Sequence, residues 1–160
     1  MPKEDSVKKG VLICCAAASV GFAGLPAMAK DGVAITLPDQ RVAVLSEGDL
    51  EAASMGSYSV AVFKDAQLLH FDAGAVFSRN GTIFRDDGKL RAKFADITGD
   101  GIQALVLSKL TAGSGKYLEV DALRIDAGSV RLLTRVQTDT HHDEIAELKA
   151  ACRRGACSPK

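Results

Sequence analysis

Two short polar stretches hold the side chains whose types and spacing could do chemistry, and both lie between segments that read as β-strands. Residues 111–117 read Thr-Ala-Gly-Ser-Gly-Lys-Tyr. Gly113 and Gly115 flank Ser114 and permit positive φ and close backbone approach, so the loop can project as a narrow finger with a hydroxyl near its tip. Gly and Ser are also ordinary hairpin-turn residues, and composition alone favours that plainer use. Residues 96–101 read Asp-Ile-Thr-Gly-Asp-Gly, with oxygens at Asp96, Thr98 and Asp100 as at the start of a calcium loop. A complete loop of that kind would end in a bidentate glutamate at its twelfth position, which is Leu107 here. The competing reading is a strand-to-strand turn whose Asp and Thr side chains satisfy nearby amides.

Little else in the chain suggests catalysis. His70, His141 and His142 fall in no nucleophile or zinc pattern. His141-His142-Asp143-Glu144 has no ligand spacing, since adjacent residues of a helix point in different directions. Carboxylate pairs exist, but spacing cannot show two that face each other across a cleft. No enzyme and no cofactor is therefore expected. A small β-domain with a projecting loop suits insertion into a partner's pocket, where a preformed shape limits the ordering cost of binding.

The N-terminus has the layout of a secretory signal. Lys3, Lys8 and Lys9 precede the apolar run 11–25, Pro26 breaks it, and Ala27-Met28-Ala29 is a small-residue cleavage site. A lipoprotein anchor at Cys14 or Cys15 fits less well, because a lipobox wants a small residue before the modified cysteine and Ile13 precedes Cys14. Residues 1–29 are thus expected to be a leader and residues 30–160 one domain, of a size that supports a single core. Without the leader, Lys and Arg nearly balance Asp and Glu, at a net charge of about −1. That excludes the basic footprint of a nucleic-acid binder. No further stretch is long and apolar enough to span a bilayer. Cys152 and Cys157 remain, and in an oxidising compartment a disulfide closing that short loop is the favoured reading.

The elements that must position these residues are mostly strands. Residues 33–37 and 41–46 suggest a first hairpin around Pro38-Asp39-Gln40, with Val42 and Val44 on one face. Residues 47–56 read as a connection. In residues 57–63, Tyr58, Val60 and Val62 alternate and should face a core. Residues 64–79 show neither period cleanly. Asn80-Gly81 signals a hairpin turn from 75–78 to 82–85, and Asp86-Asp87-Gly88 another turn. A strand over 89–97 would alternate at Leu90, Ala92 and Phe94. The stem of the finger is 103–110 and 118–125. In the latter, Leu118, Val120 and Ala122 share one face and Tyr117, Glu119 and Asp121 the other, outside the core. A β-bulge near Ala122 would let the apolar face switch to Leu123 and Ile125. Asp126-Ala127-Gly128 turns into a last strand over 129–136. A helix over 139–151, capped by Asp139 or Thr140, carries a narrow stripe of Ile145 and Leu148. The tail 153–160 should be held only by Cys152 and Cys157. Several short strands with one helix argue for an all-β antiparallel sandwich or barrel.

Four blocks of the chain, in order and spacing, resemble the periplasmic inhibitors of invertebrate-type (I-type) lysozyme. They are 46–63 (SEGDLEAASMGSYSVAVF), 80–83 (NGTI), 95–107 (ADITGDGIQALVL) and 112–123 (AGSGKYLEVDAL). The Ser-Gly-x-Tyr inhibitory loop of that family matches Ser114-Gly115-Lys116-Tyr117. The resemblance implies a periplasmic antiparallel β-sandwich, of about eight short strands with one short C-terminal helix here, that plugs a lysozyme's cleft, often as a homodimer. A lysozyme cleft carries two catalytic carboxyls, so the Ser114 hydroxyl can donate where a sugar hydroxyl would lie. Tyr117 would support the loop or add aromatic contact area, its plainer alternative being an aromatic that packs on its own sheet. The chain departs from the family pattern at Ala53, where Arg is usual, at Thr98 in place of Asp, and in the added Cys152 and Cys157. The alternative function is a calcium-dependent extracellular binding or adhesion module using Asp96, Thr98 and Asp100, and a hydrolase with an unrecognised carboxylate pair is a third.

Overall fold

The structure, a computed structural model, describes residues 32–48, 56–76, 83–85, 87–111 and 116–158. The leader expected at 1–29, Ala53, the turn expected at Asn80-Gly81 and Asp86 lie outside the described residues.

Eight strands form two four-stranded antiparallel sheets. Strands β1 (Gly32–Thr36), β2 (Val42–Glu47), β3 (Gly56–Lys64) and β4 (Gln67–Val76) make the first. Strands β5 (Ala92–Asp96), β6 (Gln103–Leu110), β7 (Tyr117–Asp126) and β8 (Ser129–Asp139) make the second, and α1 (Glu144–Arg153) follows. Within each sheet every strand pairs with its neighbour in sequence. The all-β sandwich with a C-terminal helix expected from the sequence is the fold observed.

Three layers result. Ala43, Leu45, Tyr58, Val60 and Val62 of the first sheet meet Leu105, Leu107, Leu123, Ile125 and Val130 of the second in one core. On the far side of the second sheet, Ala104, Val106, Leu118, Val120, Ala122 and Leu133 pack under Leu148 of α1. β6 is consequently covered on both faces, which is why QALVLSKL reads as a nearly unbroken apolar run rather than an alternation.

That second cover corrects the reading of β7. The strand does not switch faces: Leu118, Val120, Ala122 and Arg124 follow one parity, Glu119, Asp121, Leu123 and Ile125 the other, and both faces are interior. The register shift at Ala122/Leu123 exists, but the extra residue belongs to β8, where Leu133 lies between the partners Leu132 and Thr134. Asp121 is therefore 2 % exposed and inside the sandwich, not outside the core.

Other boundaries move for local reasons. β4 was hard to read because the turn into it, Asp65-Ala66, takes positive φ (48° and 67°) without a glycine, and because Leu69 is an extra residue opposite Val62/Phe63. β5 starts at Ala92 rather than Lys89; Leu90 forms an isolated bridge with Phe84, and Phe94 is exposed. β8 runs on to Asp139. The helix begins after it, because Asp143 rather than Asp139 or Thr140 is the cap and accepts from the Ile145 and Ala146 amides at 2.9 and 3.3 Å. Such a cap contributes about 1 kcal/mol. The tail has more than the cysteines to hold it: Ser158 donates its amide to Leu133 O at 2.8 Å. Cys152 and Cys157 are bonded, with Cα atoms 4.7 Å apart, and both pack against the helix-side core.

Candidate functional site

The finger expected at 111–117 is the turn between β6 and β7, and its stem is closed by backbone bonds. The amide of Thr111 donates to Tyr117 O at 2.9 Å and its hydroxyl to the same oxygen at 3.2 Å. Lys116 adopts positive φ (52°), which turns the chain into β7, and its carbonyl accepts from the Thr140 amide at 3.2 Å. The loop is thus tied at its base to the end of β8 as well as to β6. Lys116 and Tyr117 face solvent, Tyr117 at 55 % exposure while Leu118 beside it is buried. Gly113, Ser114 and Gly115 lie outside the described residues.

Next to Tyr117 an open hollow of about 650 Å³ is lined by Thr111, Leu118, Gln137, Thr138, Asp139, His142 and Glu147. His142 Nδ1 lies 2.9 Å from Asp139 Oδ1. That hydrogen bond, together with the charge of Asp139, raises the pKa of the imidazole above its ordinary value. His141 and His142 are therefore exposed residues of the β8–α1 turn, and His70 is far off in sequence on β4.

The calcium-like turn is organised around a cation supplied by the chain itself. Asp96 accepts from the Gly99 and Gly101 amides at 2.7 and 2.8 Å, and both glycines need positive φ. Arg124, reaching across from β7, donates to Asp100 Oδ2 at 2.7 Å and to Thr98 Oγ1 at 3.1 Å. Thr98 in turn donates to Asp100 Oδ1 at 2.8 Å. The hydrogen bonds from Arg124 and Thr98 hold the Asp100 carboxyl well below the usual carboxylate range. Of the three, Thr98 and Asp100 come together around the guanidinium, while the Asp96 carboxylate is taken by the Gly99 and Gly101 amides. Among the described residues no group of three or more His, Cys, Asp or Glu is arranged to hold a metal ion.

Sequence reasoning missed a charged group inside the sandwich just below the finger. Lys109 is fully buried, with Nζ 2.6 Å from Asp121 Oδ2 and 2.7 Å from Glu119 Oε1. Arg135 Nε and Nη2 reach the two oxygens of Asp121 at 2.6 and 2.8 Å. The signal available was the Lys109, Glu119, Asp121 alternation on facing strands; it was read as a solvent face because an interior ionic cluster is uncommon.

A family model described as PliI, periplasmic lysozyme inhibitor of I-type lysozyme, matches residues 29–152. The chain belongs to this family. It is accordingly a periplasmic inhibitor of I-type lysozyme and not an enzyme. Among solved structures, the Aeromonas hydrophila PliI is similar at 26 % identity and a TM-score of 0.58, covering 73 % of this chain and 98 % of that one. The same species' PliI in complex with Meretrix lusoria lysozyme is similar at 28 % identity and a TM-score of 0.55, covering 74 % and 94 %. No curated protein matches significantly.

Proposed function

We propose that this inhibitor acts by inserting the loop Gly113–Ser114–Gly115–Lys116–Tyr117 into the active-site cleft of an I-type lysozyme. Ser114 donates its hydroxyl to a catalytic carboxylate, and Tyr117 supplies aromatic contact at the cleft mouth. The observation that carries this reading is the stem. Two bonds from Thr111 and one from Thr140 fix the chain on either side of the loop. Tyr117 stands out at 55 % exposure from a strand whose interior is buried. A stem closed before binding lowers the ordering cost on docking. Residues 1–29 act as the export leader of this reading, and residues 30–160 as the inhibitor.

The test is titration of an I-type lysozyme with the parent protein, Ser114→Ala and Tyr117→Ala. Each variant should keep the parent melting temperature and lose about tenfold or more in inhibition, about 1.4 kcal/mol per tenfold. Parent-like inhibition by both folded variants removes the loop from the mechanism.

A second copy of the chain is the other partner of this reading, and a specific surface favours it. Every outward residue in the paired region of the first sheet is Gly, Ala, Ser, Thr, Val, Leu or Phe, with Val42, Phe63 and Leu68 in one row and Val44, Ala61 and Phe71 in the next. A solvated antiparallel face ordinarily carries charge. An uncharged one can be apposed to its own copy about a two-fold axis without burying an unpaired ion. Sedimentation should give a dimer for the parent and a monomer for Phe71→Glu; a monomeric parent at tens of micromolar sinks this part of the proposal.

A further inference from the structure

The space between the two sheets is chemically divided. Away from the finger it is filled by Leu105, Leu107, Leu123 and Ile125 against Val60 and Val62. Toward the finger the same faces turn ionic. Lys109 donates to Asp121 and Glu119, and also to Tyr58 Oη of the opposite sheet at 3.2 Å, with its ammonium 4.7 Å from the centre of that ring. Tyr58 donates to Asp72 on β4 at 3.4 Å, and Arg135 lies 3.6 Å from Asp72. Room for the Tyr58 ring comes from Gly74 opposite, where a Cβ would stand 3.0 Å from Tyr58 Oη and 3.1 Å from the ring. The cluster thus joins five strands, β3, β4, β6, β7 and β8.

Its position matters more than its size. Lys109 and Glu119 are direct cross-strand partners, Leu110 and Leu118 are the next pair, and the Thr111–Tyr117 bond that closes the loop follows immediately. Well-packed apolar residues would hold the sheets together at least as firmly as buried ions. What they lack is direction. A two-residue slip of β6 against β7 leaves apolar faces still apolar, but it separates Lys109 from its partners and strands a buried charge. Burial alone would favour neutral Lys109, yet the hydrogen bonds it donates to Asp121 and Glu119 outweigh it and keep the ammonium form. Register decides which residues fall in the loop, and so where Ser114 and Tyr117 stand.

We propose that Lys109, with Glu119, Asp121 and Arg135, is the positioning device of the inhibitory finger: it fixes the register of β6 on β7 and sets the pose offered to the lysozyme cleft. The proposal rests on the loop-insertion reading above and adds to it residues that touch no enzyme.

The experiment compares the parent with the triple variant Lys109→Met, Glu119→Gln, Asp121→Asn, which exchanges the ions for neutral groups of similar volume. Melting temperature, lysozyme inhibition and amide hydrogen exchange at Thr111 and Thr140 are read together. The expected result is a melting temperature within a few degrees of the parent, exchange at both amides faster by about tenfold, and inhibition weaker by about tenfold. Parent-like exchange and inhibition in the folded triple variant overturns the proposal. Should the triple variant not fold, Glu119→Gln decides. It keeps an acceptor opposite Lys109, and its expected effect is about threefold on exchange and on inhibition; no change in either overturns the proposal. Exchange is measured without lysozyme, so a parent protein that does not inhibit counts against loop insertion and leaves the register claim to be judged by exchange alone. Faster exchange with unchanged inhibition in a parent that does inhibit overturns the positioning claim and spares the loop reading.

Discussion

The turn at residues 96–101 and the finger at 111–117 look alike in sequence and differ in where their polar groups are spent. Both are short, glycine-bearing links between strands of the second sheet. In the first, the Asp96 carboxylate accepts two backbone amides of its own turn, and the Asp100 carboxylate is held by Thr98 and Arg124. In the second, Thr111 and Thr140 bond the base, and Lys116 and Tyr117 face solvent. The lesson is that a run of oxygens and glycines is no metal site when its acceptors have already found partners within the chain. Arg124, more than twenty residues from the turn in sequence, makes that difference.

The contrast is broken most forcefully at Arg124 itself. Arg124 is 4 % exposed and holds Asp100 and Asp126 at 2.7 Å each. Arg124→Met removes the guanidinium from both carboxylates, Asp126 keeping Arg131 at 3.3 Å, and should lower the melting temperature by roughly 5 °C, on the scale that a domain of this size shows for a lost partly buried pair. Inhibition of lysozyme should stay within about twofold of the parent. The pattern is thus the reverse of Tyr117→Ala, which loses inhibition and keeps its melting temperature. If Arg124→Met keeps the parent melting temperature, the turn is not held by the guanidinium, and the division between the two loops fails.

A smaller effect sharpens the same point with calcium. Millimolar calcium or a chelator should leave the parent melting temperature unchanged to within about 1 °C, since a ligand that binds only the native state would raise it. In Arg124→Met, the Asp100 carboxylate and the Thr98 hydroxyl lose the guanidinium, and calcium should recover part of the lost stability. A calcium-dependent rise in the parent would return the turn to the class of metal sites.

How far the sequence revealed this molecule depended on whether a segment's partners were local. Hairpins at Pro38-Asp39-Gln40 and Ala127-Gly128 were legible because Pro38 and Gly128 mark them as turns, even though Asp39 and Gln40 also take positive φ. Tyr58, Val60 and Val62 were legible because one face of β3 is buried and the other is not. β7 misled because both of its faces are interior, so alternation could not say which was the core, and Glu119 and Asp121 find their counter-ions on β6 and β8. The Asp65-Ala66 turn misled because two ordinary residues carry positive φ there. At the site, the order Ser-Gly-Lys-Tyr carried the resemblance to the family's loop, while nothing near it in sequence pointed to Tyr58, Asp72 or Arg135 beneath it. Such a cluster is assembled by sheet packing, and no window of sequence contains it.

The smallest expected effect separates the two regions by pH. Hydrogen bonds to Gly101 and Gly99 hold the Asp96 carboxyl below its ordinary 3.8, and Arg124 with Thr98 does the same for Asp100. A depressed carboxyl contributes stability that is complete above the unfolded value and is lost only as pH falls through the folded one, so the 96–101 turn should be indifferent to pH above about 3.8. The finger's surroundings behave oppositely. The hydrogen bond that Asp139 accepts from His142 raises the imidazole pKa above 6.5, so its contribution is complete below 6.5 and fades as pH rises through the folded value. An NMR titration over roughly pH 4 to 9 should move the His142 ring signals with a midpoint above 6.5, leave the Asp96 and Asp100 carboxyl carbons still, and show the His142 midpoint falling in Asp139→Asn. A midpoint at or below 6.5 in the parent would mean that the bond to Asp139 does not persist in solution.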